Sequence, residues 1–252
     1  MSKIKEILKE KKTLIPFLPA GYPSLNATKQ FVKVLVECGI KAIEIGIPFS
    51  DPVADGPTIT NSYSYAIKNR IKSEDVYLLS EELKDEYKIS IIPMLYYNLI
   101  YNKGEENFAK RISTFADAVI VPDLPFRESH RLRPHLEKFN ISYIPFATPN
   151  IREEDIRIIS KYTNAFIYAV TVFGITGARS NYSKDTYKYL ERVKKISSNF
   201  VAAGFGVSSK EQFERLPTDA VIIGSALVKQ IDPNNLEKSK ENIKKLINSI
   251  IN

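Results

Sequence analysis

The 252-residue chain contains no Trp, one Cys, two His and two Met. One Cys cannot close an internal disulfide, which excludes the cysteine frameworks that staple small secreted domains. Two His and one Cys leave little from which to build a His/Cys zinc site, and no metal is expected. His130 and His135 stand five positions apart in a predicted helix. That spacing puts them on different faces and marks them as surface residues. Cys38, just before Gly39 at a helix end, reads as a packing residue. Runs of about 18 apolar residues are absent, so no membrane-spanning helix is predicted. The first twelve residues, MSKIKEILKEKK, are charged and amphipathic and lack an apolar h-region. No signal peptide is predicted from them, and a cytoplasmic location is expected. Linkers, low-complexity tracts and shifts of composition are also missing, which predicts a single domain over 1–252.

Charge of one sign is not scarce, but it is dispersed. Lys and Arg number 36 against 29 Asp and Glu, a net charge of +7. The first twelve residues hold five Lys and two Glu, and the remainder is interleaved, as in KDEYK, REED and ERVKK. This is the pattern of a solvated mixed-charge surface. A nucleic-acid groove would need basic clusters interleaved with aromatics, or a known module, and neither is present.

Eight short apolar runs recur: LIPFL (14–18), AIEIGI (42–47), SIIPMLYY (90–97), AVIVP (118–122), SYIPFA (142–147), AFIYAV (165–170), FVAAGF (200–205) and AVIIG (220–224). Each is rich in β-branched or aromatic residues, as buried strands are. Amphipathic segments separate them. Asn150 with Glu153, and Ser208 with Glu211, fit capping boxes. Ser73 before Glu74 and Asp75 fits an N-cap, and a last helix is predicted from about Pro233. Strand–helix alternation predicts parallel strands with crossover helices. Eight units of about 31 residues suit βα repeats closed into an α/β (β/α)8 TIM barrel. The segment 2–11 is an extra N-terminal helix placed to close the barrel bottom. An open doubly wound sheet is the alternative, weakened by the lack of a GxGxxG after the first strand.

Barrel active sites lie beyond the C-terminal strand ends. The seventh and eighth runs end in Gly204-Phe205-Gly206 and Gly224-Ser225. Glycines there let backbone N–H groups approach a phosphate, and a short helix from Ser225 would add its N-terminus. Tight turns are the competing reading. In Ala42–Ile47 the period of two puts Ile43, Ile45 and Ile47 on one face and Glu44 on the other, between Ala42 and Gly46. Facing the barrel interior, Glu44 would be desolvated, hold its proton near neutral pH and act as an acid, a buried carboxylate satisfied by backbone donors being the competing reading. Asp55, in the following loop, can return over the mouth as a more solvated, ionised carboxylate, although Asp-Gly is also ordinary turn chemistry. Tyr96, Tyr97 and Tyr168 near strand ends either line a pocket or pack in the core.

These residues resemble one family, the tryptophan synthase alpha subunit. EIGIPFSDPVADGPTI (44–59) is similar to the family signature around its two catalytic carboxylates, and FLPAGYP (17–23), GITGA (174–178), GFGVS (204–208) and IGSA (223–226) follow in order. The resemblance spans nearly the whole chain. It implies a single barrel that cleaves indole-3-glycerol phosphate to indole and glyceraldehyde 3-phosphate. It also implies an α2β2 complex in which indole passes to a beta subunit carrying pyridoxal phosphate, with no cofactor in this chain. By position it implies Glu44 and Asp55 as catalytic, and Gly177, Gly206, Gly224 and Ser225 as the phosphate cradle. Phe17, Ile59, Met94, Tyr96, Ile120, Tyr168 and Phe205 match the indole pocket, and Thr176 matches a lid residue. Pro48 and Asp51 match a loop facing the beta subunit. The chain departs from the family pattern at Thr171-Val172-Phe173, where many members have a Ser and more polar residues, and at Pro122. Two other readings are a different phosphate-binding barrel enzyme and a mainly non-catalytic activator of the beta subunit.

Overall fold

The β-branched runs form strands that all pair in parallel. The computed structural model describes residues 2–171, 184–204, 207 and 209–252. Among these are β1 (Thr13–Pro19), β2 (Ala42–Gly46), β3 (Ser90–Met94), β4 (Ala118–Val119), β5 (Ser142–Tyr143), β6 (Phe146–Ala147), β7 (Phe166–Ala169), β8 (Phe200–Gly204) and β9 (Ala220–Ile223). Seven strands run in the order β3-β2-β1-β9-β8-β7-β6, and β4 pairs with β5. Isolated bridges Ile91–Ala116 and Met94–Ile120 join β3 to the β4 run. β5 and β6 belong to one continuous run, so the ring closes into the expected (β/α)8 barrel.

That fifth run departs from the predicted single strand. Pro145 has no N–H to give to a ladder. The halves on either side pair separately: Ile144 N donates to Val119 O at 3.0 Å, and Tyr168 N donates to Pro145 O at 2.9 Å. The third run is shorter than predicted, because Tyr97 begins the helix Tyr97–Tyr101 and its N–H is held by Asp123 Oδ1 at 2.8 Å.

Strand alternation creates two cores. Ile43, Ile45 and Ile91 face outward against Phe31 and Leu35 of the helix Leu25–Glu37 and Val76 and Leu83 of the helix Ser73–Tyr87. Ile15, Phe17, Ile92, Met94 and Ile222 fill the barrel interior. At the N-terminal strand ends the interior residues are small, namely Ala42, Ala118, Ala165 and Ala220, and Ile4, Ile7 and Leu8 occupy the space they leave. The N-terminal helix Lys3–Glu10 is therefore the plug of the barrel bottom. Ile4 is wholly buried, so Ile4→Ala is expected to cost about 2–5 kcal/mol in a urea melt. Activity per folded molecule should be unchanged, because the plug sits at the end of the barrel opposite the candidate site.

Several predicted helix starts move. Ser73 is the first helical residue, and Asp75 Oδ2 accepts from Lys72 N at 2.8 Å. The helix Glu153–Lys161 begins after Arg152, while Asn150 instead accepts from Thr148 Oγ1 at 2.8 Å. Ser209 caps the helix Lys210–Arg215 by accepting from Gln212 N, and the expected cap Ser208 lies outside the described residues. Asn235, not Pro233, opens the last helix Leu236–Ile251. His130 ends a short 3-10 turn and His135 lies in the separate helix Arg133–Lys138, in place of the one helix predicted. Cys38 is the partly buried C-cap of Leu25–Glu37, packed against the outer core.

Candidate active site

Glu44 is the middle residue of β2 and is 2% exposed. Its register neighbours are Phe17 on β1 and Ile92 on β3, so apolar walls flank the carboxyl on both sides. Oε2 is buried with no hydrogen-bond partner among the described residues. Burial, and secondarily the nearby Asp55 carboxylate, push its pKa up to about 8. Glu44 thus holds a proton at neutral pH in the manner of a general acid.

Asp55 returns over the mouth as the loop spacing suggests. Its N–H donates to Pro52 O at 3.0 Å, and the helix Pro57–Lys68 starts two residues on with Gly56 as N-cap and Pro57 in the first turn. Tyr96 Oη donates to Asp55 Oδ2 at 2.7 Å and accepts from Ala54 N at 3.1 Å. The Phe49 ring stacks on Tyr96 with centroids 5.1 Å apart. The tyrosine pins the carboxylate and its loop to the end of β3. Burial raises the Asp55 pKa, and the Tyr96 hydrogen bond opposes that shift. This carboxyl is therefore less solvated than the sequence suggested.

A cavity of about 720 Å³ lies between these groups and the ends of β7, β8 and β9. Of the residues singled out in the sequence, it brings together Glu44, Asp55, Phe17, Ile59, Met94, Tyr168, Gly224 and Ser225. Tyr96 stands behind the wall, buried, as the donor to Asp55. Ile120 also sits behind the wall, bridged to Met94, and does not line the cavity. Gly177, Gly206, Phe205 and Thr176, with Val172 and Phe173, lie outside the described residues. Thr171 Oγ1 donates to Gly204 O. Pro48 is buried, whereas Asp51 is exposed and Val53 beside it is 82% exposed.

Two glycines at the mouth differ in what they require. A Cβ on Gly204 would fall 2.3 Å from Tyr168 Oη, so packing within the chain demands glycine there. A Cβ on Gly224 would meet only ordinary contacts, 3.4 Å from Phe17 Cδ1. Its backbone φ is −114°, which any residue adopts. Neither strain nor packing calls for glycine at 224, and the open space beside it belongs to the cavity, next to the helix Ser225–Val228.

Three residues escaped the sequence reading. Lys229 and Gln230 line the cavity at the end of the short helix after Gly224. Their signal was the one-turn spacing from Ser225. Tyr63 is fully buried beside Phe17 and Tyr96 in the inner core. Among the described residues no group of three or more His, Cys, Asp and Glu side chains is placed to hold a metal ion.

The family model described as tryptophan synthase alpha chain matches residues 3–251. The tryptophan synthase alpha chain of Petrotoga mobilis is 37% identical over 243 residues, covering 95% of this chain and 94% of that protein. A chain of the crystal structure of the tryptophan synthase complex from Pyrococcus furiosus superposes with a TM-score of 0.88 at 35% identity, over 96% of this chain and 98% of that one. Another, described as the structural basis of mutual activation of the tryptophan synthase a2b2 complex of P. furiosus, gives 0.89 at 36% identity over the same shares. Fold and similarity over nearly the full length agree: the chain belongs to the tryptophan synthase alpha chain family.

Proposed function

We propose that the cavity under Asp55 is where this chain cleaves indole-3-glycerol phosphate, with Glu44 as proton donor and Asp55 as charge stabiliser. The chain is an alpha subunit of tryptophan synthase, a lyase that works with a beta subunit in an α2β2 complex. The observation that carries the site assignment is the Glu44 carboxyl: buried, its pKa pushed up to about 8 by that burial, and lining the same cavity as Asp55.

The cleavage is a retro-aldol reaction. Glu44 transfers its proton to C3 of the indole ring, which makes that carbon a leaving group. The resulting indolenine carries positive charge near the ring nitrogen, and the Asp55 carboxylate stabilises it. Loss of the proton from the glycerol hydroxyl beside the C–C bond then forms the aldehyde, and the bonding electrons return to the ring as indole. Glu44, now a carboxylate, is the base in reach of that proton. Phe17, Ile59 and Met94 supply apolar wall for the ring. Gly224 and Ser225, with Gly177 and Gly206, hold the phosphate through backbone N–H groups.

Residues 1–252 act as one domain in this reading, in the cytoplasm, and pyridoxal phosphate belongs to the beta subunit. No helix among the described residues is long and apolar enough to cross a membrane. Assaying the chain for indole release, alone and with a beta subunit, tests the reading. Release of indole in either case supports it, and absence of release in both overturns it in favour of a non-catalytic activator.

The Gly204–Tyr168 contact gives a second test. Gly204→Ala drives a methyl into the Tyr168 hydroxyl, and a displacement of about 1 Å at a reacting site costs on the order of 100-fold. Tyr168→Phe in the same chain removes the 2.3 Å clash but leaves ring atoms at 3.1 and 3.2 Å. Partial recovery of kcat/KM in the double variant is therefore expected. A double-mutant cycle measures it; strictly additive losses would show that the two residues do not interact.

A further inference from the structure

Of the two fully buried tyrosines of the inner core, Tyr63 and Tyr96, only Tyr63 has no hydroxyl partner among the described residues. It lies on the helix Pro57–Lys68, one turn after the cavity-lining Ile59, so both use the same helix face. Its hydroxyl lies 2.3 Å from the point a Gly46 Cβ would occupy. Gly46 and Glu44 share one face of β2, two positions and about 6.7 Å apart along the strand. Glu44 Oε2 is another of the five buried side-chain oxygens without a partner among the described residues. Glycine at 46 is thus what admits a phenol over the face of β2 that carries this acid.

A buried hydroxyl with no partner destabilises a protein, and Phe would fill the same space without that cost. The negative charges that raise the Tyr63 pKa, after burial, are Asp55 and then Glu44, and the hydroxyl stays protonated. When Glu44 gives up its proton it becomes a buried carboxylate. Asp55 is already served by Tyr96. The other groups facing Glu44 are Asp55 from its own loop and Tyr168 from β7, while β1 and β3 present Phe17 and Ile92, which do not titrate.

We propose that Tyr63 is a positioning residue for Glu44: its hydroxyl donates to the Glu44 carboxylate formed when the proton passes to the substrate. The phenol keeps its own proton throughout. This rests on the assignment of Glu44 as proton donor. In the acid form the pair stands unbonded, and the hydrogen bond appears on the pathway, where it makes Glu44 a stronger acid than burial alone would allow.

The test uses the α2β2 complex with wild-type and Tyr63→Phe alpha chains. Loss of a hydrogen bond to a charged group predicts a fall in kcat of about 10- to 100-fold. KM should hold within about twofold, because the interaction is absent from the ground state. The alkaline limb of kcat/KM should move up by about one pH unit. Infrared titration of the Glu44 carboxyl, its band identified by loss in Glu44→Gln, should give a higher midpoint in Tyr63→Phe. Difluorotyrosine at position 63, a stronger donor of nearly the same shape, should lower it. An unchanged or lowered midpoint in Tyr63→Phe overturns the proposal, even where kcat falls, since a packing role would move kcat alone. Wild-type complex that releases no indole would instead overturn the functional reading, and the infrared arm would still decide the role of Tyr63.

Discussion

Glu44→Gln is expected to reduce indole release by at least about 1,000-fold, toward the upper end of what one general acid contributes. Gln matches Glu in shape but carries no transferable proton. It fits the same slot between Phe17 and Ile92, so the apolar wall and the phosphate end are undisturbed. Affinity for a non-reacting phosphate analogue should stay within about threefold, which separates loss of chemistry from loss of binding. Near-wild-type turnover would sink the assignment. In the wild type the acid must be protonated to act. With its pKa pushed up to about 8, kcat/KM is expected to be flat through neutrality and to fall above about pH 8.

The same substitution should strengthen the fold, in one pH range only. A carboxyl whose pKa rises on folding costs nothing below its unfolded value near 4.5, where both states are protonated. The cost grows as pH rises and is complete above the folded value of about 8. Glu44→Gln removes that cost. Its denaturation midpoint should match the wild type near pH 4 and exceed it near pH 9. A difference of the same size at both pH values would show that repacking, not ionisation, is responsible. An inactive variant that is the more stable form at alkaline pH is what a desolvated acid in the cavity wall predicts.

What could be read in the sequence was whatever depended on local periodicity. Glu44 declared itself because a period of two separates it from Ile43 and Ile45, and small neighbours on its own face leave it room. The plug helix was legible for the same reason, from Ile4, Ile7 and Leu8. Properties set by distant residues were not legible. Tyr96 read as either pocket lining or core packing, and its hydroxyl lies on Asp55, 41 positions away. Tyr63 sits in TITNSYSYAIK, a segment whose composition suggests a surface helix. Only the closure of the barrel over Gly46 reveals why a phenol is buried there. Ile120 fits the pocket by order along the chain, but the bridge to Met94 holds it behind the wall. The predicted helix starts that moved lie near ends where several Ser, Asn and Asp compete to cap, and small differences in loop geometry choose among them.

Asp55→Asn is expected to lower kcat about 100-fold or more, the size of effect produced by removing one charge stabiliser from an active site. The geometry should survive, because the Asn carbonyl still accepts from the Tyr96 hydroxyl that holds Asp55 Oδ2 at 2.7 Å. The loss is therefore one of charge. Tyr96→Phe, which keeps the charge and removes its anchor, should cost less, and burial alone would then act on the Asp55 carboxyl and raise its pKa further. A loss in Asp55→Asn of only a few-fold would reduce Asp55 to the cap of an Asp-Gly turn. The pH profile carries an independent sign. The Asp55 carboxylate is the second cause of the raised Glu44 pKa, after burial. Removing that negative charge makes the Glu44 carboxylate easier to form, so the alkaline limb of the residual activity should move down. Tyr63→Phe should move it up. Two substitutions around one acid, one deleting a repelling charge and the other a donor, are thus expected to displace the same limb in opposite directions. A shift of equal sign in both would mean that the limb does not report Glu44.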